Sequence, residues 1–291
     1  ILRSMPAEEI KRLEILDMVP MRYREYDKVI NVLTYGNFRG GSLAGDLVQS
    51  VSPMLGMSDA WLQGAAFGKK DMFAATYYFS RREYKERITD KEQSFTLPSI
   101  GKISRKSHLE DAFGYRLHLP TLTYQRQETG NYTLQLVSAS SIVPYHAVGS
   151  GTINENGTEL STKNSSQSKE VKSSVDLLFI KEINKKKSLS FNAVWTGIFT
   201  DRTDTNHEEK ISNKEVVFSD KVVQDLKKNS LILQADYAHT FESPTQLSIG
   251  YRYYGAKLNS IVTNSFFENK PSVTTQNDHS LYGDFSYKLG Q

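Results

Sequence analysis

The chain has 291 residues, no cysteine, and 36 basic against 33 acidic side chains, for a formal charge of +3. Without cysteine there is no disulfide scaffold, thiolate metal site or cysteine nucleophile, and so balanced a charge argues against a nucleic-acid partner. Sixteen Tyr and 14 Phe against 2 Trp, with abundant Ser and Thr, favour strands over helices.

No stretch reaches the ~20 apolar residues of a membrane helix. Membrane strands escape that test, because their apolar and polar residues alternate and average to a polar score. Residues Ile1 to Ile10 lack the basic start and apolar core of a signal peptide. The first residue is not Met, and the expectation is a fragment.

In chain order, Pro6-Ala7-Glu8-Glu9-Ile10 predicts a short helix, with proline in the first turn and two acids at its positive end. Ile10, Leu13 and Ile15 continue as an apolar strip until Pro20. Val29-Ile30-Asn31-Val32-Leu33 predicts a β-branched strand, bounded by Tyr35-Gly36-Asn37. Together residues 1–38 form a small α/β unit that is too short to bury a core of its own.

From residue 39 to 291 the pattern changes to period two. Leu189, Phe191, Ala193, Trp195, Gly197 and Phe199 alternate with Ser190, Asn192, Val194 and Thr196. Leu231, Leu233, Ala235, Tyr237 and His239 do the same, as do Leu247, Ile249, Tyr251 and Tyr253, and then Leu281, Gly283, Phe285 and Tyr287. Weaker runs occupy 42–52, 58–68, 71–85, 104–126, 131–148 and 170–183. In the 104–126 run the apolar parity slips at Pro120, which predicts a β-bulge.

The connections alternate too. Short ones fall at 68–71, 128–131, 184–187 and 242–245; long polar ones at 86–103, 149–169, 202–228 and 260–278. Only the link at Ser52 to Gly56 is short where a long one is due. Short turns at one end and long loops at the other, on strands longer than the soluble norm, point to a membrane barrel. The fold class expected is all-β: an antiparallel transmembrane β-barrel, partial, of about ten strands, preceded by a short α/β remnant.

The segment Arg3-Ser4-Met5-Pro6-Ala7-Glu8-Glu9-Ile10-Lys11-Arg12-Leu13-Glu14, then Pro20-Met21-Arg22-Tyr23 and Val29-Ile30-Asn31-Val32-Leu33-Thr34, resembles the closing part of a TonB-dependent receptor plug. In that family a helix ending in Ile-Glu precedes a proline, an Arg-Tyr pair and an "I-N-I" strand, and the barrel follows. Here Leu13-Glu14 replaces Ile-Glu, and Asp27-Lys28 stands where a Gly-rich turn is common. The flavour is similar to receptors of Bacteroides-type bacteria. The resemblance implies an outer-membrane receptor for energy-coupled uptake of a siderophore, cobalamin or oligosaccharide. Its implied partners are the TonB-ExbB-ExbD complex, outer-membrane lipids, a small nutrient ligand and a surface lipoprotein lid, with no nucleic acid. It also implies residues 1–38 as the end of the plug, 39–291 as the start of a barrel that closes with ~22 strands, and further sequence at both ends.

No enzyme is expected and no cofactor. The six histidines, His108, His118, His146, His207, His239 and His279, form no ligand-like pair at close spacing. Ser140-Ser141 near His146 has no acid or nucleophile elbow beside it, and Lys185-Lys186-Lys187 reads as a charged turn. Arg22, Tyr23 and Asn31 carry the plug motif, with a structural role favoured over ligand contact. Tyr-rich stretches such as 77–79 and 251–254 read mainly as an aromatic girdle. Tyr78, Arg252 and Tyr254 are the exceptions on the polar side. The competing reading is a non-transporting surface β-protein, an adhesin or structural element.

Overall fold

The computed structural model describes residues 10–16, 29–34, 39–99, 101–241, 245–266 and 271–287. They form twelve strands in two separate antiparallel sheets. The small sheet pairs β1 (Ile10–Leu16) with β2 (Val29–Thr34). The large sheet has ten strands, each bonded to its sequence neighbours, from β3 to β12. They are β3 (Gly40–Val51), β4 (Leu55–Phe67), β5 (Asp71–Leu97), β6 (Gly101–Glu128), β7 (Tyr132–Glu155), β8 (Thr158–Asn184), β9 (Lys187–Lys210), β10 (Val216–Thr240), β11 (Thr245–Thr263) and β12 (Ser272–Tyr287). All ten strands expected from the alternation are present. The described sheet is open, with β3 and β12 at its edges.

Three expectations are corrected. The helix fails where it can be checked, because Ile10–Leu16 is a strand; Pro6 to Glu9 lie outside the described residues. In β1 the backbone of Leu13 lies opposite Val32 and that of Ile15 opposite Ile30, so strand pairing prevails over the local helix signal. The α/β unit is therefore a β-hairpin in its described part.

The long polar segments are mostly strand, not loop. β5 to β10 run 24 to 28 residues each, roughly 80–90 Å at ~3.3 Å per residue. They turn back only at short tips, such as 156–157 and 211–215. At the first of these Asn156 has φ 49° and Gly157 φ 88°, the doubly left-handed pair that a two-residue hairpin needs. Asn156 also receives the Ser104 N–H on its Oδ1 at 2.8 Å.

Pro120 is no bulge. Tyr77 faces Pro120, Phe79 faces His118, and the β5–β6 register runs on unchanged; on the β7 side His118 faces Ile142 and Thr121 faces Ala139 in one register. The parity slip is a change of face. Phe113, Tyr115, Leu117 and Leu119 lie on one side of β6, and Leu122 and Tyr124 on the other. The irregularity lies instead between Tyr84 and Arg87 on β5.

Direct partners share a face, so the two sides of the sheet can be traced across all ten strands. One path runs Leu43, Gly64, Ala75, Leu122, Ser138, Val175, Trp195, Leu231, Gly255, Asn277. Leu47, Leu62, Phe73, Tyr77, Leu136, Leu189, Phe191, Ile249, Tyr251, Leu281 and Phe285 share that side. Each of them is exposed, up to 80% for Leu281 and 77% for Leu43. The opposite side carries Gln63, Ser80, Thr123, Ser190, Asn192, Thr196, Gln234, Asp236, Ser248 and Arg252.

The apolar band is not perpendicular to the strands. Leu43 reaches Asn277 on β12 by direct partners, whereas the matching apolar residue there is Phe285, eight positions further over nine steps. About one residue per strand, at ~3.3 Å rise and ~4.8 Å spacing, tilts the strands roughly 30–35° to the band's normal. At the tips the sheet also curls toward its polar side. Arg105 on β6 bonds Glu155 on β7 at 2.9 Å and Glu208 on β9 at 2.5 Å, although three strand spacings amount to ~14 Å when flat.

Soluble domains bury an apolar sheet face under a second layer. Here the buried apolar residues among those described are Ala65, Ala74, Ile153 and Leu160, and no large side chain is fully buried. The band has no protein cover among the described residues. In the small hairpin Leu13 is 60% and Ile15 62% exposed. A two-stranded hairpin is marginal in water. Residues 1–36 expressed alone should give no cooperative unfolding and collapsed amide dispersion by NMR; a sharp thermal transition would show that this segment is self-sufficient.

Candidate binding face

Above the apolar band, on the polar side, β4 to β7 gather aromatic and guanidinium groups. Arg82 donates two bonds to Asp59, 3.0 and 2.9 Å, and Tyr78 Oη donates a third at 3.2 Å. Past the irregularity in β5, Arg87 grips Asp111 with Nε at 2.7 Å and Nη2 at 2.5 Å. Its guanidinium also lies over the Phe113 ring, 4.4 Å from the centroid. Tyr84 stacks on Phe113 at 4.4 Å and 14°, and Tyr145 leans on the far side at 6.5 Å. Two bidentate Arg–carboxylate pairs lock these side chains, and Tyr84, Phe113 and Tyr145 remain half-buried beside them. Such a platform suits a ligand with flat or ring-shaped surfaces, held by stacking and cation–π contact.

Lower on the same side, level with the band, Asp236 is the centre of a second cluster. It accepts Tyr282 Oη at 2.6 Å, Ser190 Oγ at 3.2 Å and Gln234 Nε2 at 3.0 Å. Tyr282 lies on β12 and Asp236 on β10, so the tyrosine crosses β11, where Gly250 leaves room for its ring. Asn192 donates to Asp176 at 2.6 Å on the neighbouring strands. Arg252, Tyr254, Asp278 and Ser280 line a shallow depression beside this network.

Of the residues singled out in the sequence, Tyr78, Arg252 and Tyr254 do lie on the polar side. Asn31 is in β2, opposite Glu14. Arg22 and Tyr23 lie outside the described residues. Among the described residues no group of three His, Asp or Glu is placed to hold a metal ion. Sequence reading missed the platform around Phe113. Its signal was the parity change at Pro120, which moved aromatics to the polar side.

Near the tips, on the other side, His108 Nδ1 lies 2.6 Å from Asp90 and its Nε2 3.8 Å from Glu110. The hydrogen bond to Asp90, with both negative charges, holds the imidazole above its ordinary 6.5. The pair therefore contributes stability below the unfolded value, and that contribution fades as pH rises through the folded one. By NMR, His108 should titrate above 6.5, and Asp90→Asn should move it back toward that value; an unchanged midpoint would mean that the pair does not form.

No protein-family model matches the chain, no curated protein matches it, and no solved structure matches its fold.

Proposed function

We propose that the ten strands are a section of an outer-membrane β-barrel wall, belonging to a TonB-dependent receptor that imports a nutrient. The observation that carries this reading is the tilted, exposed apolar band along one face of ten neighbouring antiparallel strands. Lipid acyl chains are the cover such a band selects, since the bilayer core tolerates strands only in a closed, hydrogen-bonded wall. The tilt is near the ~35–45° of membrane barrels, and the polar side, which curls inward at the tips, becomes the lumen.

In this reading the short turns at 68–70, 129–131, 185–186 and 241–244 face the periplasm. The tall β5–β10 hairpins then stand outside the cell, and the Arg87–Phe113 platform lies at the outer mouth, where an arriving ligand meets it first. The hairpin β1–β2 is the last part of the plug, a stopper removed through TonB. No covalent chemistry is involved. The imported nutrient is a small molecule of the siderophore, cobalamin or oligosaccharide kind.

Sidedness and coupling are tested separately on the full-length protein. These 291 residues contain no cysteine, so single cysteines are introduced here in a full-length background cleared of any cysteine elsewhere. In intact cells Asn213→Cys, at the β9–β10 tip, should react with an impermeant thiol reagent, and Lys186→Cys should not. The reverse pattern would invert the topology and place the platform in the periplasm. The purified protein should also bind the soluble periplasmic domain of TonB; no binding would leave a barrel without the receptor function.

A further inference from the structure

We infer that the upper edge of β5 is a docking site for an extended basic segment of another protein, which adds to the large sheet as a strand. The inference rests on the strand order and stands apart from the membrane reading. β4 starts at Leu55, opposite Tyr84, and the last bond across to that side runs from Lys85 N–H to Met54 C=O at 3.1 Å. β5 then continues to Leu97, about 40 Å further at ~3.3 Å per residue. Over that length it pairs only with β6, and every residue from Lys85 to Leu97 except Thr89 is exposed. Closing the sheet into a barrel adds strands beyond β3 and β12, never between β4 and β5, so no wall strand covers this edge.

Which backbone groups face the edge follows from the register. Asn156 N–H donates to Ser104 C=O at 3.0 Å, so even-numbered residues of β6 bond β7 and odd-numbered ones bond β5. Their partners on β5 are Arg87, Thr89, Lys91, Gln93 and Phe95. Ile88, Asp90, Glu92, Ser94 and Thr96 therefore aim N–H and C=O at the open edge. Another place where a strand overtops its neighbour is closed. β10 outruns β11 beyond Val223, and there Ser265 N–H donates to Asp220 at 3.0 Å and Phe266 stacks on Phe218 at 5.8 Å. β5 has no such cover among the described residues.

Charge decides the occupant. Among the edge-facing residues only Asp90 and Glu92 are charged. Asp90 meets His108 at 2.6 Å and Glu92 meets Lys106 at 2.9 Å, each through one oxygen, and both acids stay exposed. His108 and Lys106 lie on β6, about 10 Å from an added strand against ~4.8 Å for the acids. An antiparallel strand with cations at two alternate positions sets one opposite each acid, a favourable cross-strand pairing. A second copy of this chain fits badly about the middle of the edge. Pairing centred on Asp90 or Glu92 sets that acid against its own image, and pairing centred on Lys91 sets Lys91 against itself and Asp90 against Glu92. Main-chain bonds supply the attachment, and the two acids select the sequence.

The test uses purified full-length protein in zwitterionic detergent and a fluorescent peptide of about twelve residues, Thr and Val with Lys at two alternate positions. The peptide should bind, and a copy N-methylated at the two lysines, whose backbone nitrogens face the edge, should not. A copy with Glu in place of Lys should bind roughly tenfold more weakly. Ser94→Pro removes one edge-facing N–H and leaves the bonds to β6, so it should weaken the Lys peptide roughly tenfold. In Asp90→Asn/Glu92→Gln the Lys and Glu peptides should bind within about twofold of each other. No binding to the parent, or equal binding of the N-methylated copy, would overturn strand addition. Equal binding of the Lys and Glu peptides to the parent would overturn the basic partner. A dimer of the parent that Ser94→Pro dissolves would assign the edge to a second copy, and would also overturn the inference.

Discussion

A lysine in place of Ala193 is expected to destabilise the refolded full-length protein by about 2–4 kcal/mol, and one in place of Thr196 by close to nothing. Ala193 lies on the apolar side between Phe191 and Trp195, with Leu177 and Leu233 as its cross-strand partners. A charge there has no water and no counter-ion if lipid covers the face. Thr196 is three residues away on the same strand but turns to the other side, between Ser174 and Ser230. The two substitutions share chemistry and strand and lie about 10 Å apart along it, so their difference chiefly reports the environment of each face. Denaturant titration in lipid vesicles gives both numbers. Equal costs would mean that both faces meet the same solvent.

The second large effect is expected at Gly250. Any Cβ there meets the Tyr282 ring and the Asp236 carboxylate, because Tyr282 crosses β11 at this position to reach Asp236. Gly250→Val should expel the ring and cost about 2–3 kcal/mol, leaving one carboxylate oxygen short of its donor. Tyr282→Phe should cost about 1 kcal/mol, since the ring stays and only the hydroxyl bond is lost. In the Tyr282→Phe background the valine should add less than it does alone, because one partner is already gone. Full additivity in the double-mutant cycle would show that Gly250 matters for some reason other than this crossing.

Most of the large sheet was legible in the sequence because period-two alternation is a direct readout of two unlike faces. Leu189 to Phe199 on β9 shows it plainly: every second residue is apolar, and the structure puts those residues on one side. Strand lengths were not legible, since beyond the band both faces are polar and alternation vanishes. Residues 202–210 and 216–228 therefore read as loop although they are paired throughout. One local cue remained, the Asn156-Gly157 dipeptide, which marks a two-residue hairpin and limits the connection between β7 and β8 to its two residues.

β6 shows the opposite failure. Phe113, Tyr115, Leu117 and Leu119 keep period two but on the opposite parity from Leu122 and Tyr124, and a proline between them invites a bulge. The proline is accommodated without a register shift, and the aromatics sit on the polar side because stacking with Tyr84, Tyr145 and Arg87 gives them partners there. Such partners lie on other strands, more than 20 residues away in sequence for Tyr84 and Tyr145, so only the register brings them together. At Ile10, the described end of the helix start expected from Pro6, strand replaces helix for a related reason: proline and two acids are a local signal, and the register of Leu13 with Val32 is not.

The account stands on lipid covering one face, and spin-label accessibility reads this position by position. Single cysteines at 189 to 201 in the full-length protein, carrying nitroxides in vesicles, give the ratio of collision with oxygen to collision with a polar nickel chelate. The account predicts a period of two: high oxygen access at Leu189, Phe191, Ala193, Trp195 and Phe199, and high chelate access at Ser190, Asn192, Val194 and Thr196. It also predicts that the oxygen signal falls at Asp201, where the apolar run ends. A flat profile, or uniform chelate access on both parities, would contradict a membrane wall.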